Sequence, residues 1–235
     1  MRFIAAYFLL LLIFFSCEEG QTKNVKPHTE SSVALHESFF YPYDTIPRIY
    51  QYRDIVHGMR EQFHRVYGIR DGYGTHVIVE KYADGRRLTE AYNYSLDSLR
   101  VMDHMVVDRV GKNEKALIYQ NELFPKDTSE IYFASKFSGI TDSTVLFYES
   151  FRKINSFEDR TIMNQKTDCM KLNEVIRITN MDVRSKMESQ PKTGNMSLYF
   201  GKGLGLVEWH DENKARHFVL ERILNQKEWI KLMSR

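Results

Sequence analysis

From residue 49 to residue 224 apolar and polar side chains alternate with a period of two, in runs separated by short clusters of Gly, Pro, Asn and Asp. Successive side chains of a β-strand point to opposite faces, so this is the pattern of half-buried strands. Residues 49–55, 63–69, 76–82 and 87–94 read as the first four strands. Asp84-Gly85 between the last two is a hairpin signal, because these residues tolerate the positive φ that tight hairpin turns require. Residues 99–110 are rich in valine, which favours a strand. After a turn at Gly111-Lys112-Asn113-Glu114, Ala116-Leu117-Ile118-Tyr119 is expected to return as its partner. Residues 130–137 and 144–157 add strands. In 169–178, Met170, Leu172, Glu174, Ile176 and Ile178 share one face, mainly apolar. Residues 196–200, 201–209 and 217–224 close the set with a second hairpin, and 226–233 reads as one helical turn or a last strand. No long helix intervenes. The expectation is a single antiparallel β domain over residues 41–235, a sandwich or curved half-barrel built from hairpins. Fourteen Tyr and 15 Phe suit such pleated, half-buried surfaces.

The N-terminus has a different character. Met1-Arg2 leads into an almost wholly apolar run, Phe3 to Phe15. One positive charge before a short apolar core is the layout of an export signal. As a helix the run would reach about 20 Å at 1.5 Å per residue, short of the about 30 Å of a hydrocarbon core. Phe14-Phe15-Ser16-Cys17 then places a small residue directly before a cysteine. This resembles the lipobox of bacterial lipoproteins, although Phe14 stands where that family favours leucine. The resemblance implies that residues 1–16 are a cleaved signal peptide and that Cys17 is acylated, a palmitate-type anchor. Two or three acyl chains, at about 0.8 kcal/mol per buried CH₂, hold a protein firmly on a membrane. Glu18-Glu19 resembles the surface-export tag of some bacterial lipoproteins and equally suits a solvated linker. Residues 17–40 read as the lipidated cysteine and a flexible tether, polar up to Ser32.

A formal charge of +2 on 235 residues leaves no basic excess, which argues against a nucleic-acid partner. Only Cys17 and Cys169 are present. With Cys17 acylated, Cys169 has no disulfide partner and reads as a buried structural thiol.

Chemical motifs are sparse. Gly201-Lys202-Gly203-Leu204-Gly205 lacks both the phosphate-loop consensus and a following helix, so its glycines are expected to shape a bulge or bend. The stretch Tyr199 to Val207 resembles a β element recurring in uncharacterised bacterial lipoproteins, a likeness that names no activity. His57, His64 and His76 lie near one another in sequence and His210 and His217 flank one hairpin, but no H-E-x-x-H or cysteine pair offers zinc spacing. No G-x-S-x-G elbow occurs. Carboxylates such as Asp97, Asp103, Asp108, Glu149, Glu174 and Glu221 are too numerous for a catalytic pair to be chosen. Tyr50/Tyr52 and Tyr92/Tyr94 suit either a binding face or core packing. No catalytic set, cofactor site or metal site is expected.

The combined expectation is a non-enzymatic lipoprotein of the cell envelope, at the outer membrane, with its periplasmic or surface face open. Its β domain would bind a ligand or protein partner. The membrane is engaged through the anchor, and an envelope protein, a lipid or a glycan is the further partner. Two alternatives stand beside this: a lipid or lipoprotein carrier with an apolar concavity, and an envelope glycan-acting hydrolase. A filled sheet would bring Phe147, Phe151, Leu172, Ile176 and Leu206 into mutual contact. A hollow one would lack large residues at some inward positions.

Overall fold

The computed structural model describes residues 38–234 apart from 59, 84–86, 109, 128, 140 and 142. The segment read as a signal peptide, Cys17 and the residues up to 37 read as a tether therefore lie outside the described residues, as does the expected Asp84-Gly85 turn.

Thirteen strands follow in chain order: β1 (Arg48–Asp54), β2 (Glu61–Asp71), β3 (Gly74–Ala83), β4 (Arg87–Ser95), β5 (Val101–Val107), β6 (Asn113–Lys115), β7 (Leu117–Asn121), β8 (Ile131–Ser138), β9 (Thr144–Ile162), β10 (Gln165–Asp182), β11 (Lys192–Gly201), β12 (Gly205–Asp211) and β13 (His217–Leu224). All pair antiparallel in one sheet, in the order β6-β5-β4-β3-β2-β1-β13-β12-β11-β10-β9-β8-β7. Every strand pairs with a sequence neighbour, β1 meets β13 in the middle, and of the consecutive strands only β6 and β7 do not pair with each other. The result is a nearly closed barrel, the curved form of the two expected architectures. Closing a sheet on itself removes exposed edges, which open sheets must otherwise protect.

The seam shows how closure is achieved. The edge strands β6 and β7 are consecutive in sequence, separated by Ala116 alone. Ala116 N–H donates to the His104 carbonyl of β5 at 2.8 Å, and Arg100 bridges Glu122 across the gap. The strand expected at Ala116-Tyr119 is thus not the partner of β5. Asn113–Lys115 pairs with β5, while Leu117–Asn121 crosses the seam and pairs with β8. Local turn signals could not distinguish these, because one residue decides which edge the chain joins.

Inside, Tyr50, Tyr52, Val66, Val77, Val79, Phe133, Met170, Leu172, Leu220 and Phe218 are almost wholly buried. Tyr50/Tyr52 and Tyr92/Tyr94 all belong to this core. A smaller core lies on the outer side, where helix α1 (Gln226–Met233) lays Trp229 on Ile49, Phe63 and Leu224. A capping box fixes the start of α1: the Asn225 side chain accepts from Glu228 N–H, and the Glu228 carboxylate accepts from Asn225 N–H. The segment 226–233 is therefore helical.

Phe147 and Phe151 do not join Leu172 and Leu206. They face outward, where Phe151 stacks on Tyr132 at 4.5 Å and Phe147 on Tyr119 at 6.4 Å. Alternation along β9 puts Tyr148, Ser150 and Arg152 inside instead, so the expected five-residue core is not formed as a unit.

Candidate functional site

One end of the barrel is closed by the chain's own entry segment. Ser38 accepts a hydrogen bond from Gly203 N–H at 2.7 Å, and the three aromatic residues that follow are buried. Phe40 packs edge-on against Tyr94 and Phe124 at 5.2 and 5.1 Å. Tyr41 meets Tyr50 at 5.1 Å and shares a 2.7 Å hydrogen bond with His64 Nδ1. Phe39 and Phe40, ahead of Tyr41, are docked into the barrel with it. The glycine cluster makes this possible. Gly203 and Gly205 take φ of +70° and +84° in the β11–β12 turn. A Cβ on Gly205 would lie 2.4 Å from the Tyr41 ring. These glycines shape a bend, as their strand context predicts.

Above this floor the interior is not filled. A chamber of about 330 Å³ remains, lined by apolar residues including Val79, Leu198, Leu206 and Trp209, and by four charged side chains. The charges form two cross-strand pairs. Lys81 on β3 stands directly opposite Glu90 on β4, with Nζ 2.7 Å from Oε1. Arg152 on β9 stands opposite Glu174 on β10, with Nε 2.8 Å from Oε1. Direct cross-strand placement of opposite charges is the favourable register for a sheet.

The pairs differ in setting. Lys81 and Glu90 line the chamber and keep 32% and 29% of their side-chain surface. Tyr92 donates to Glu90 Oε2 at 2.8 Å, and His104, stacked on Tyr92, stands 3.5 Å away. Glu174 is 3% exposed and accepts also from Ser150 at 2.5 Å, while Arg152 donates to the Leu123 carbonyl. Burial works to raise the Glu90 pKa, but Lys81 and the His104 contact outweigh it and hold the carboxyl well below its usual range. Burial works against the Arg152 charge, and the Glu174 carboxylate beside it more than restores it. Glu90 and Arg152 therefore stay charged. His64 is pushed down to about 3, by burial and then by Lys81, so it is neutral. Burial pushes the Tyr94 and Tyr148 hydroxyls far up, keeping them protonated.

Of the carboxylates singled out from sequence, only Glu174 points into this chamber. Glu149 accepts from Tyr132 on the outer face, Glu221 pairs with Arg53, Asp103 with Lys115, and Asp108 caps a turn. Asp97 stands beside Gly74. Lys81, Glu90 and Arg152 carried no motif. The available signal was phase: Glu174 sits among Met170, Leu172 and Ile176 on an apolar face, which a charge occupies only when it is paired inside.

The histidines scatter. His57 bonds Asp54 at 2.8 Å, His64 lies inside the barrel, and His76 pairs with Asp71 at 3.2 Å. Strand pairing does bring His210 opposite His217, their rings 5.0 Å apart, and supplies a carboxylate: Glu208 takes His217 Nε2 at 2.8 Å. Glu208 is also gripped by Arg160, which lies over Tyr199 at 4.2 Å. This network is on the sheet face opposite Leu198 and Trp209, away from the chamber. Among the described residues no group of three metal-ligating side chains forms. Cys169 is 1% exposed and burial pushes its thiol up to about 11, the behaviour of a structural cysteine.

No family model and no curated protein matches the chain. Two solved structures are similar to it. One, titled a "putative lipoprotein", is from Parabacteroides distasonis; it is 17% identical, with 80% of this chain and 99% of that one covered, at a TM-score of 0.49. The other, titled a "putative exported protein with YmcC-like fold", is from Bacteroides fragilis; it is 14% identical, with 80% and 100% covered, at 0.47.

Proposed function

We propose that this chain is a non-enzymatic lipoprotein of the bacterial cell envelope, held at the outer membrane by an acylated Cys17, whose barrel binds a compact ligand in its interior chamber. The observation that carries the binding half is the chamber itself: about 330 Å³ left open in a barrel whose other inward positions are tightly filled. Small-molecule sites span about 300–1,000 Å³ and combine apolar walls with a few placed polar groups. The Ser16-Cys17 junction after an apolar leader carries the anchoring half.

The acyl-carrier alternative asks for an apolar concavity. Two ion pairs line this one, and seating a hydrocarbon chain against them would strip water from four charges. A glycan-acting hydrolase asks for a carboxylic acid whose pKa is raised toward neutrality. Glu90 is held in the opposite direction. Both considerations favour binding without chemistry.

The anchor is tested by labelling cells with a clickable palmitate and comparing wild type with Cys17→Ala. Label lost in the variant supports the anchor, and an unlabelled wild type removes it. Native mass spectrometry of the full chain purified from envelopes tests the other half. A bound small molecule, released on denaturation, is the expected result.

A further inference from the structure

The chamber has a directional build. Its floor is the buried Phe40–Tyr41 segment, and its rim carries half-exposed Gln62, Ala83, Thr89, Ile176 and Met196 at the opposite strand ends. A ligand therefore enters past the Lys81–Glu90 pair and reaches the Arg152–Glu174 pair further in, where the side chains are less exposed.

Three properties of the lining restrict what can be held there. First, the charges cancel: two cations face two carboxylates, each at bonding distance from its partner. A ligand with net charge would bring an uncompensated charge into a poorly solvated space, which costs several kcal/mol. Second, each pair uses only part of its hydrogen-bonding capacity. An ammonium has three donors and a carboxylate about four lone-pair sites, so groups that both donate and accept can add to the pairs without breaking them. Third, the hydroxyls of buried Tyr94 and half-buried Tyr148 line the chamber and make no hydrogen bond to the described residues. Neutral, protonated hydroxyls of this kind match other hydroxyls. Aromatic walls at Tyr94, Tyr148 and Trp209 supply flat apolar surface beside them.

We infer that the chamber takes a compact, net-neutral, hydroxyl-rich small molecule, whose hydroxyls bond to the two preformed ion pairs and to Tyr94 and Tyr148. This rests on the reading of the barrel as a ligand binder and adds the ligand's chemical class. The volume, at the low end for small-molecule sites, admits a small sugar or polyol and excludes a polymer chain.

The test is isothermal titration of the full chain with four probes: trehalose, glucuronate, glycylglycine and dodecanoate. Trp209 fluorescence, read in a Trp229→Phe background, reports whether the chamber is the place of binding. Saturable binding of trehalose with a Trp209 response is expected, with the other three weaker. The double variant Tyr94→Phe/Tyr148→Phe keeps both rings and should weaken trehalose about tenfold. Glu90→Gln leaves Lys81 without its counter-charge and should shift preference toward glucuronate. Tighter binding of dodecanoate, glycylglycine or glucuronate by the wild type overturns the ligand class while leaving the barrel a ligand binder. No binding of any probe overturns the inference; the co-purified ligand seen by native mass spectrometry then decides separately whether the broader reading survives.

Discussion

The two ends of the barrel are built from different kinds of residue and behave as opposites. At the floor, Phe39, Phe40 and Tyr41 interlock with Tyr94, Phe124 and Phe200, and His64 is buried and neutral. At the rim, Lys81 and Glu90 stand paired but open, each about one-third exposed. Stability should reside at the floor, where apolar area is removed from water and polar groups have no alternative partner. Recognition should reside at the rim, where polar groups remain available.

This division of labour makes variants at the two ends behave differently. The largest effect is expected from Phe40→Ala, which empties the centre of the floor; a loss of about 3–5 kcal/mol by urea denaturation is the usual cost of removing a buried aromatic ring. A loss under about 1 kcal/mol would mean the plug is dispensable. Gly205→Ala combines the Tyr41 clash with a left-handed backbone, and should cost about 3 kcal/mol while lifting Tyr41 from His64. Tyr41→Ala in the same background should recover part of that loss, because the clashing ring is gone.

The pH response probes the floor as well. His64 has a folded pKa near 3 against about 6.5 unfolded, so between those values the unfolded chain binds the extra proton. Its contribution is fully present above pH 6.5 and is lost as pH falls toward 3. From pH 7 to pH 5 this amounts to about 2 kcal/mol, measured as a slope of stability against pH. That slope should flatten in His64→Phe; an unchanged slope would place the titrating group elsewhere. The smallest effect belongs to the rim. Lys81→Met should change stability by no more than about 1 kcal/mol, the usual worth of a partly exposed ion pair, while altering ligand preference. A loss as large as that of Phe40→Ala would show that rim and floor are one structural unit.

Much of the strand content was legible residue by residue. The 76–82 and 87–94 runs with Asp84-Gly85 between them pair as β3 and β4, and in 169–178 the expected face is buried at Met170, Leu172 and Glu174, while Ile178 is exposed and Cys169, on the other set, is buried. The seam was not legible, because Ala116 separates two strands whose partners are on opposite sides of the closure. The outward turn of Phe147 and Phe151 was missed for a related reason. Along β9 both faces carry large residues, so the period alone leaves inside and outside interchangeable. The candidate site was least legible. Glu174 was marked by its phase, but its pairing with Arg152 depends on strand register, as does that of Lys81 with Glu90 across a hairpin bulge.

Side-chain patterning alone made it legible that the chain from residue 49 onward is antiparallel β, where most strands begin and end, and that a small-residue–cysteine junction follows an apolar run. These are local properties, written in side-chain periodicity and turn chemistry over a few residues. That thirteen strands curve into one nearly closed barrel, that the entry segment plugs one end, and that four charges converge on the space left above it emerged only with the folded sheet. Curvature, closure and convergence depend on register between strands far apart in the chain, and no local pattern encodes the distance between Glu174 and Arg152 until the sheet has folded round to bring them together.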